Sequence, residues 1–242
     1  AYNNCMDENV SNEKPIKNRK GLSVFFNILI TLLSIIALTI AGVLIYQKRY
    51  LSPFWVNGQS MYPTLNKYAL DPNGQLYKEN GSSTLAGSKN VDYGVMDKHE
   101  RALKKIKRFD VVVCKYSKDD ASDKIKRVVG LPGETIKFGQ GNINGTLFVK
   151  NGSEFYATEQ PIDNEYVVAG NYPVNEITLG NDEYYVLGDN RAHSSDSRTN
   201  GAIKYEWLIG KVVCVCAHCE IRQASNGSLE PFNIDHFIPR FL

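Results

Sequence analysis

The sequence predicts a mostly β domain of antiparallel sheets behind one N-terminal membrane-spanning helix. Three observations carry this expectation. The 25-residue stretch from Leu22 to Tyr46 holds no charged side chain. After it, short runs rich in Val, Ile, Phe and Tyr are punctuated by Asn-Gly and Pro-Gly turns. No segment beyond the apolar stretch sustains a 3.6-residue apolar period.

The elements follow in chain order. Residues 1–21 are polar and predict a short tail. The run 22–46 is the anchor: a helix rises about 1.5 Å per residue, so it crosses a hydrocarbon core of about 30 Å with some tilt. It is too long for the apolar centre of a cleaved leader, and no small-x-small site follows it closely. Lys14, Lys17, Arg19 and Lys20 precede the run, whereas only Lys48 and Arg49 follow. That asymmetry predicts a cytoplasmic N-terminus, with residues 47–242 on the outer side. Phe54 and Trp55 come soon after the span and suit either the lipid interface or a core.

Residues 67–107 predict a long loop or insertion. Their central part, "DPNGQLYKENGSSTLAGSKNVDYG", is rich in Gly, Ser, Asn and Asp and poor in apolar anchors. "MDKHERALKKIKR" predicts a short helix within it. Strands are then expected at 109–116, 123–131, 183–189 and 208–219, and as a hairpin over 146–157 around Asn151-Gly152. Asn-Gly-Ser/Thr triplets at 80, 144, 151 and 226 match the glycosylation acceptor pattern, and are read here as turns.

Composition excludes some functions. The chain has 242 residues and a net charge of +2 from 28 basic and 26 acidic residues, unlike a nucleic-acid binder. Its five cysteines, at 5, 114, 214, 216 and 219, are odd in number and unevenly spaced, so no disulfide scaffold is expected. "KVVCVCAHC" raises a metal site, but a second ligand pair of the usual spacing is missing, and the same residues alternate as a strand. The strand reading is preferred and no metal is expected, with a disulfide as the remaining alternative.

Two residues raise chemistry. Ser60, in "NGQSMYPTL", is either a plain turn residue or a nucleophile held on a rigid turn. A serine hydroxyl needs a neighbouring base. Of the four histidines, 99, 193, 218 and 236, only His193 sits in a loop with nearby acids. Ser11 and Lys14 form an S-x-x-K in the tail, on the wrong side of the membrane. A lysine serves only if burial brings its amine down from about 10.4. Lys126 shares a strand face with Val128 by period two, just before the Pro132-Gly133 turn. By itself this stretch favours a solvated strand lysine.

"GQSMYPTL", "RFDVVV", "KIKRVVGLPGE" and "LGDNRAHSSDSR" occur in that order behind an anchor. Together they resemble the type I signal peptidases, membrane-bound serine proteases that remove signal peptides from exported preproteins. The resemblance runs from about Val56 to Val213. It implies a mostly β catalytic domain with Ser60 as nucleophile, Lys126 as general base and Ser194 as the serine that orients the lysine. Asp196 and Arg198 correspond to a pair bracing that loop, Met61 to a residue lining the site, and Asp110 and Asp189 to structural positions. Gly58 departs from members that carry there a serine whose hydroxyl helps hold the oxyanion; Gram-positive-type members share the departure. Lysine rather than histidine at 126 implies the bacterial type, on the plasma membrane. The resemblance further implies no metal or organic cofactor, the bilayer as a partner, and preproteins with small residues before the cut as substrates. Rival readings are a self-cleaving repressor-type or conjugation-maturation Ser/Lys peptidase, and a tethered β domain for binding or adhesion.

Overall fold

The computed structural model describes residues 19–71 and 86–242. Lys14, Lys17, Ser11, Cys5 and residues 72–85 of the expected insertion lie outside the described residues. The chain divides into two compact units, 1–48 and 49–242.

The described part of the first unit is helical, the body of α1 (Arg19–Tyr50). It holds no proline, and its apolar side chains are exposed on every side. Thr31, Ser34 and Thr39 turn their hydroxyls back to the carbonyls of Asn27, Ile30 and Ile36. The helix therefore presents few unbonded polar groups to an apolar solvent. From Gly21 onward it is long and apolar enough to cross a membrane.

The second unit is built on two antiparallel sheets. The larger contains β1 (Leu51–Trp55), β2 (Val91–Asp97), β3 (Val111–Cys114), β4 (Lys124–Gly130), β9 (Glu183–Leu187), β10 (Ile203–Lys204), β11 (Leu208–Gln223) and β12 (Leu229–Phe241). Its order is β1-β2-β11-β3-β4-β9-β10, with β12 added beside β11. The smaller orders β7 (Glu154–Thr158), β6 (Leu147–Asn151), β5 (Thr135–Phe138) and β8 (Ile177–Thr178). Asn151 pairs with Glu154, so Gly152 and Ser153 form the expected tight hairpin, with Gly152 at φ +63°. Short helices α2 (Glu100–Leu103), α3 (Asn164–Val168) and α4 (Ser197–Asn200) fill the connections.

The unbroken run Val111-Val112-Val113-Cys114 is explained by burial on both faces. Val112 and Cys114 pack with Val128, Val186 and Ile203, while Val111 and Val113 pack with Met61, Leu65 and Val215. A strand sandwiched on both faces has no polar alternation. The 16-residue β11 reaches β2, β3 and β12, and register shifts along it let one strand serve three partners.

The loop expected over 67–107 needs correction at its C-terminal part. Val91–Asp97 is strand β2, bonded to β1 on one side and β11 on the other. Val91 and Asp92 are buried there. Asp92, Tyr93, Gly94 and Asp97 dilute the apolar signal, and only pairing with residues 120 positions downstream or so reveals the strand. The helix expected nearby is present as α2. Strands β1, β5, β8, β10 and β12 also went unread; in β12, Pro231 and Pro239 argue against a central strand, and among the described residues it pairs with β11 alone, where proline is tolerated.

Gly94 lies opposite Phe54 in this ladder. A Cβ at Gly94 would sit 2.4 Å from the Cys214 carbonyl oxygen and 2.7 Å from the Phe54 ring. Gly94→Ala should therefore destabilise the domain by roughly 2–3 kcal/mol through overpacking, a fall in Tm of roughly 5–10 °C for a domain of this size. A thermal melt in detergent followed by circular dichroism measures it. An unchanged Tm would show that β2 is not built into the sheet.

Candidate active site

The loop from Val56 to Asn66 carries Ser60 between β1 and the rest of the chain. Gly58 opens it at φ +114°, a conformation strained for any residue with a Cβ, although a Cβ there would meet nothing within 4 Å. Backbone geometry thus accounts for glycine at the position where the resemblance allows serine. The Ser60 carbonyl accepts from the Asn190 N–H at 3.0 Å, and Asn190 Nδ2 donates to the Gln59 carbonyl at 3.3 Å. Met61 is fully buried in the core cluster with Leu65 and Val111 rather than lining an open site. Among the described residues nothing accepts the Ser60 N–H.

Asn66 closes the loop, and sequence reasoning passed over it. It is fully buried at φ +61°, a left-handed conformation that asparagine tolerates. Its Nδ2 donates to the carbonyls of Val56 and Gly58, both at 3.0 Å. Its N–H donates to Asp92 Oδ2 at 2.9 Å, and Asp92 N–H donates to Asn66 Oδ1 at 3.0 Å. The Ser60 loop is therefore clamped onto β2. Burial pushes the Asp92 carboxyl up, opposed by the Asn66 N–H and by Arg240 and His218 beside it. The only sequence signal was an asparagine after a Pro-Thr-Leu run.

Lys126 comes from β4, opposite Val112, and is only 3% exposed. Its Nζ lies 2.8 Å from Ser60 Oγ and 2.9 Å from the Ile125 carbonyl oxygen. Burial pulls its amine down to about 8; the Asp196 and Asp189 carboxylates pull weakly the other way. Cys114 is itself pushed up to about 12 by burial, so it stays a neutral thiol. The amine thus has a hydroxyl and a carbonyl for partners and, among the described residues, no carboxylate within salt-bridge reach.

The next residue points to the opposite face. Arg127 forms a two-pronged pair with Asp189, at 2.8 and 2.6 Å, and reaches the Phe109 carbonyl at 2.8 Å. Asp110 pairs with Lys211 at 2.7 Å. The loop after β9 is braced by Arg198, whose Nε and Nη2 each donate to Asp196 at 2.8 Å. Burial would raise Asp196, but Arg198 and the Gly188 N–H outweigh it and hold that carboxyl below the usual range. Ser194 Oγ is buried without a hydrogen bond of good geometry; it stands near enough to Asp196 to help lower it, and it does not bond Lys126 here. Gly188 is a second residue that the sequence did not single out: a Cβ there would lie 2.2 Å from Ser194 Oγ and 2.4 Å from the Ser60 carbonyl oxygen. His193 is exposed, and its side chain does not bond Ser60.

Ser60 and Lys126 open onto a cleft of about 490 Å³ walled by Pro53, Phe54 and Trp55 of β1 and by Lys124 and Ile125 of β4. Phe54 and Trp55 are therefore half-buried wall residues of the second unit. Cys214, Cys216 and Cys219 are free thiols along β11, and among the described residues no three His, Cys, Asp or Glu side chains gather as a metal site. Chemically, a dry amine against an accessible hydroxyl is a proton acceptor beside a nucleophile.

Comparison with known proteins follows the geometry. The family model described as "Signal peptidase, peptidase S26" matches residues 28–217. Signal peptidase I V of Bacillus subtilis (strain 168) is 32% identical over 56% of this chain and 82% of its own length. Signal peptidase I of Bacillus caldolyticus is 31% identical over 66% of this chain and 76% of its own. Signal peptidase IB of Staphylococcus aureus (strain COL) is 28% identical over 74% and 85%.

The Asn66 clamp is open to a direct test. Asn66→Asp removes both donated bonds to Val56 and Gly58 and sets a second carboxylate against Asp92. The loss of buried bonds should destabilise the domain by about 3 kcal/mol and, by slackening the Ser60 loop, lower turnover roughly tenfold or more. Thermal melting and a peptide-cleavage assay read the two effects. Wild-type values in both would mean the loop is positioned by something else.

Proposed function

The chain belongs to the signal peptidase family, peptidase S26, whose activity is that of a serine endopeptidase removing signal peptides, and on that premise we propose that it does so with a Ser60–Lys126 dyad while anchored in a bacterial membrane. The observation that carries the dyad is the 2.8 Å approach of Lys126 Nζ to Ser60 Oγ in a setting that keeps the amine dry. With the amine neutral, the Ser60 hydroxyl donates to Nζ. As Oγ attacks the scissile carbonyl, its proton passes to Lys126. The Ser60 N–H is free to donate to the developing oxyanion. Lys126 then returns the proton to the leaving amine, giving an acyl-enzyme ester that water hydrolyses through the same base. Asp196 and Arg198 fix the loop that carries Ser194 beside this centre. No step calls for a metal or organic cofactor.

The substrate is a preprotein whose cleavage segment lies extended in the cleft. Among the described residues β1 pairs with β2 alone, which leaves its outer edge for strand addition along the wall that leads to Ser60. Residues 22–46 form the span, residues 1–21 the cytoplasmic tail, and residues 47–242 the outer domain; Arg19 and Lys20 against Lys48 and Arg49, with Lys14 and Lys17 upstream, support that direction.

Four substitutions and a pH profile test the dyad. Ser60→Ala and Lys126→Arg should each abolish cleavage while the fold survives, because arginine keeps the charge but accepts no proton. His193→Ala should retain most of the rate. With the amine at about 8, kcat/KM should climb from pH 7, be half-maximal near pH 8 and level off above about 9. The sign for stability is the same: the unfolded lysine binds its proton up to about 10.4, the folded one only to about 8, so stability rises with pH between the two. Keeping Lys126 dry costs about 3 kcal/mol at pH 7, and Lys126→Met should raise Tm while leaving no activity. Activity in Lys126→Arg would rule the dyad out.

Substrate choice is tested separately. A preprotein with Ala directly before the cut should be cleaved, and the same preprotein with Phe there should resist, because a shallow apolar site is overpacked by a ring. Equal rates would contradict the proposed specificity.

A further inference from the structure

The basic residues of 98–107 play no part in the site described above. Lys98, Arg101, Lys104, Lys105 and Lys107 are all exposed, and Glu100 is the only acid in that stretch. Glu100 pairs with Lys104 at 2.5 Å. Lys98, Arg101, Lys105 and Lys107 make no ion pair among the described residues. The stretch is anchored, since Leu103 and Ile106 are buried against Val112 and Val128. Burial of these two apolar side chains leaves the basic ones facing solvent.

They adjoin the residues that follow the apolar run in sequence. The Lys98 N–H donates to the Tyr50 carbonyl at 2.8 Å, and the His99 ring lies 4.3 Å from the Tyr50 ring, centroid to centroid. Tyr50 follows Tyr46, the last residue of the apolar run, by four positions, which reach at most about 14 Å even when fully extended. Asp97 pairs with both Leu51 and Lys211, so this end of the sheet is the end at which the chain arrives from the span. Lys105 and Ala102 share a cleft of about 380 Å³ there with Phe241, whose ring is 74% exposed.

We infer that Lys98, Arg101, Lys105 and Lys107 form a surface that binds the anionic headgroups of the bilayer in which the chain is anchored. The inference rests on the proposed span at 22–46. Basic residues immediately beyond a span are drawn to anionic lipid, and the attraction fades within a Debye length of roughly 8–10 Å. Three of the four are lysines, compact charges on flexible stems that suit mobile phosphates without fixed orientation. Phe241 adds an aromatic ring of the kind that settles at an interface. The expected result is that the β1–β2 end of the sheet is held down on the membrane wherever the lipid is anionic.

The test uses the full chain and the variant K98Q/R101Q/K105Q/K107Q. Each is reconstituted into phosphatidylcholine vesicles with or without about one third phosphatidylglycerol, and hydrogen exchange of residues 98–107 is followed. In the wild type, exchange should slow roughly threefold or more in the anionic vesicles only. The slowing should vanish at high salt and in the variant, and soluble glycerol phosphate at equal charge should not reproduce it. The variant should cleave a peptide in neutral detergent at the wild-type rate, which shows that it is folded. Equal exchange in both vesicle types, with the chain resistant to alkaline extraction, overturns the inference alone. A chain extracted at alkaline pH overturns the span and the inference with it.

Discussion

An amine kept out of water is the constraint around which the second unit is arranged. Lys126 sits at 3% exposure with a hydroxyl and a carbonyl as partners. Two buried guanidiniums near it are treated differently: Arg127 is locked to Asp189 and Arg198 to Asp196, each through two bonds. A guanidinium never gives up its proton, so its buried charge must be met by acceptors: a carboxylate for Arg127 and Arg198, and the neutral oxygens of Gly188, Tyr172 and Gln160 for Arg191. An amine can give it up, and burial with no carboxylate bonded to it brings it down to about 8. The two neighbouring residues of β4 thus show two solutions to burying a charge, one that fixes structure and one that leaves a base.

Holding such a group dry needs walls on both sides of the strand. The larger sheet supplies them, since Val112 and Val128 line one face of β3 and β4 and Val111 and Val113 the other. Ser60 reaches the amine from β1, at the far end of the strand order, on a loop with no regular structure of its own. That loop is fixed from two directions, by the bonds of Asn66 to Asp92 on β2 and by Asn190 after β9. Gly58 and Gly188 are the points where a side chain would spoil it, the first by backbone conformation and the second by crowding.

What was legible in the sequence follows from how local each cause is. The span needed only an uncharged run, and the 146–157 hairpin only Asn151-Gly152 between apolar stretches. Ser60 and Lys126 were ambiguous one at a time; their order among four motifs singled them out, and the structure sets them 2.8 Å apart. Strand β2 was hidden because its pattern is diluted by acids and a glycine whose reason is the Cys214 carbonyl, far along the chain. Asn66 was hidden because its four bonds go to residues that only the fold brings near. The motif named Ser194 but not the direction of its hydroxyl, which depends on packing around Gly188.

The position of β11 bears on timing. It is the strand that joins β2 to β3, and it begins at Leu208. Ser60 lies on the β1–β2 side of that junction and Lys126 on the β3–β4 side. A chain that emerges N-terminus first therefore displays its serine and its lysine long before the strand that unites their halves of the sheet has arrived. Synthesis order and assembly order run against each other, and the two halves meet as a single sheet only when nearly all of the described chain has come out.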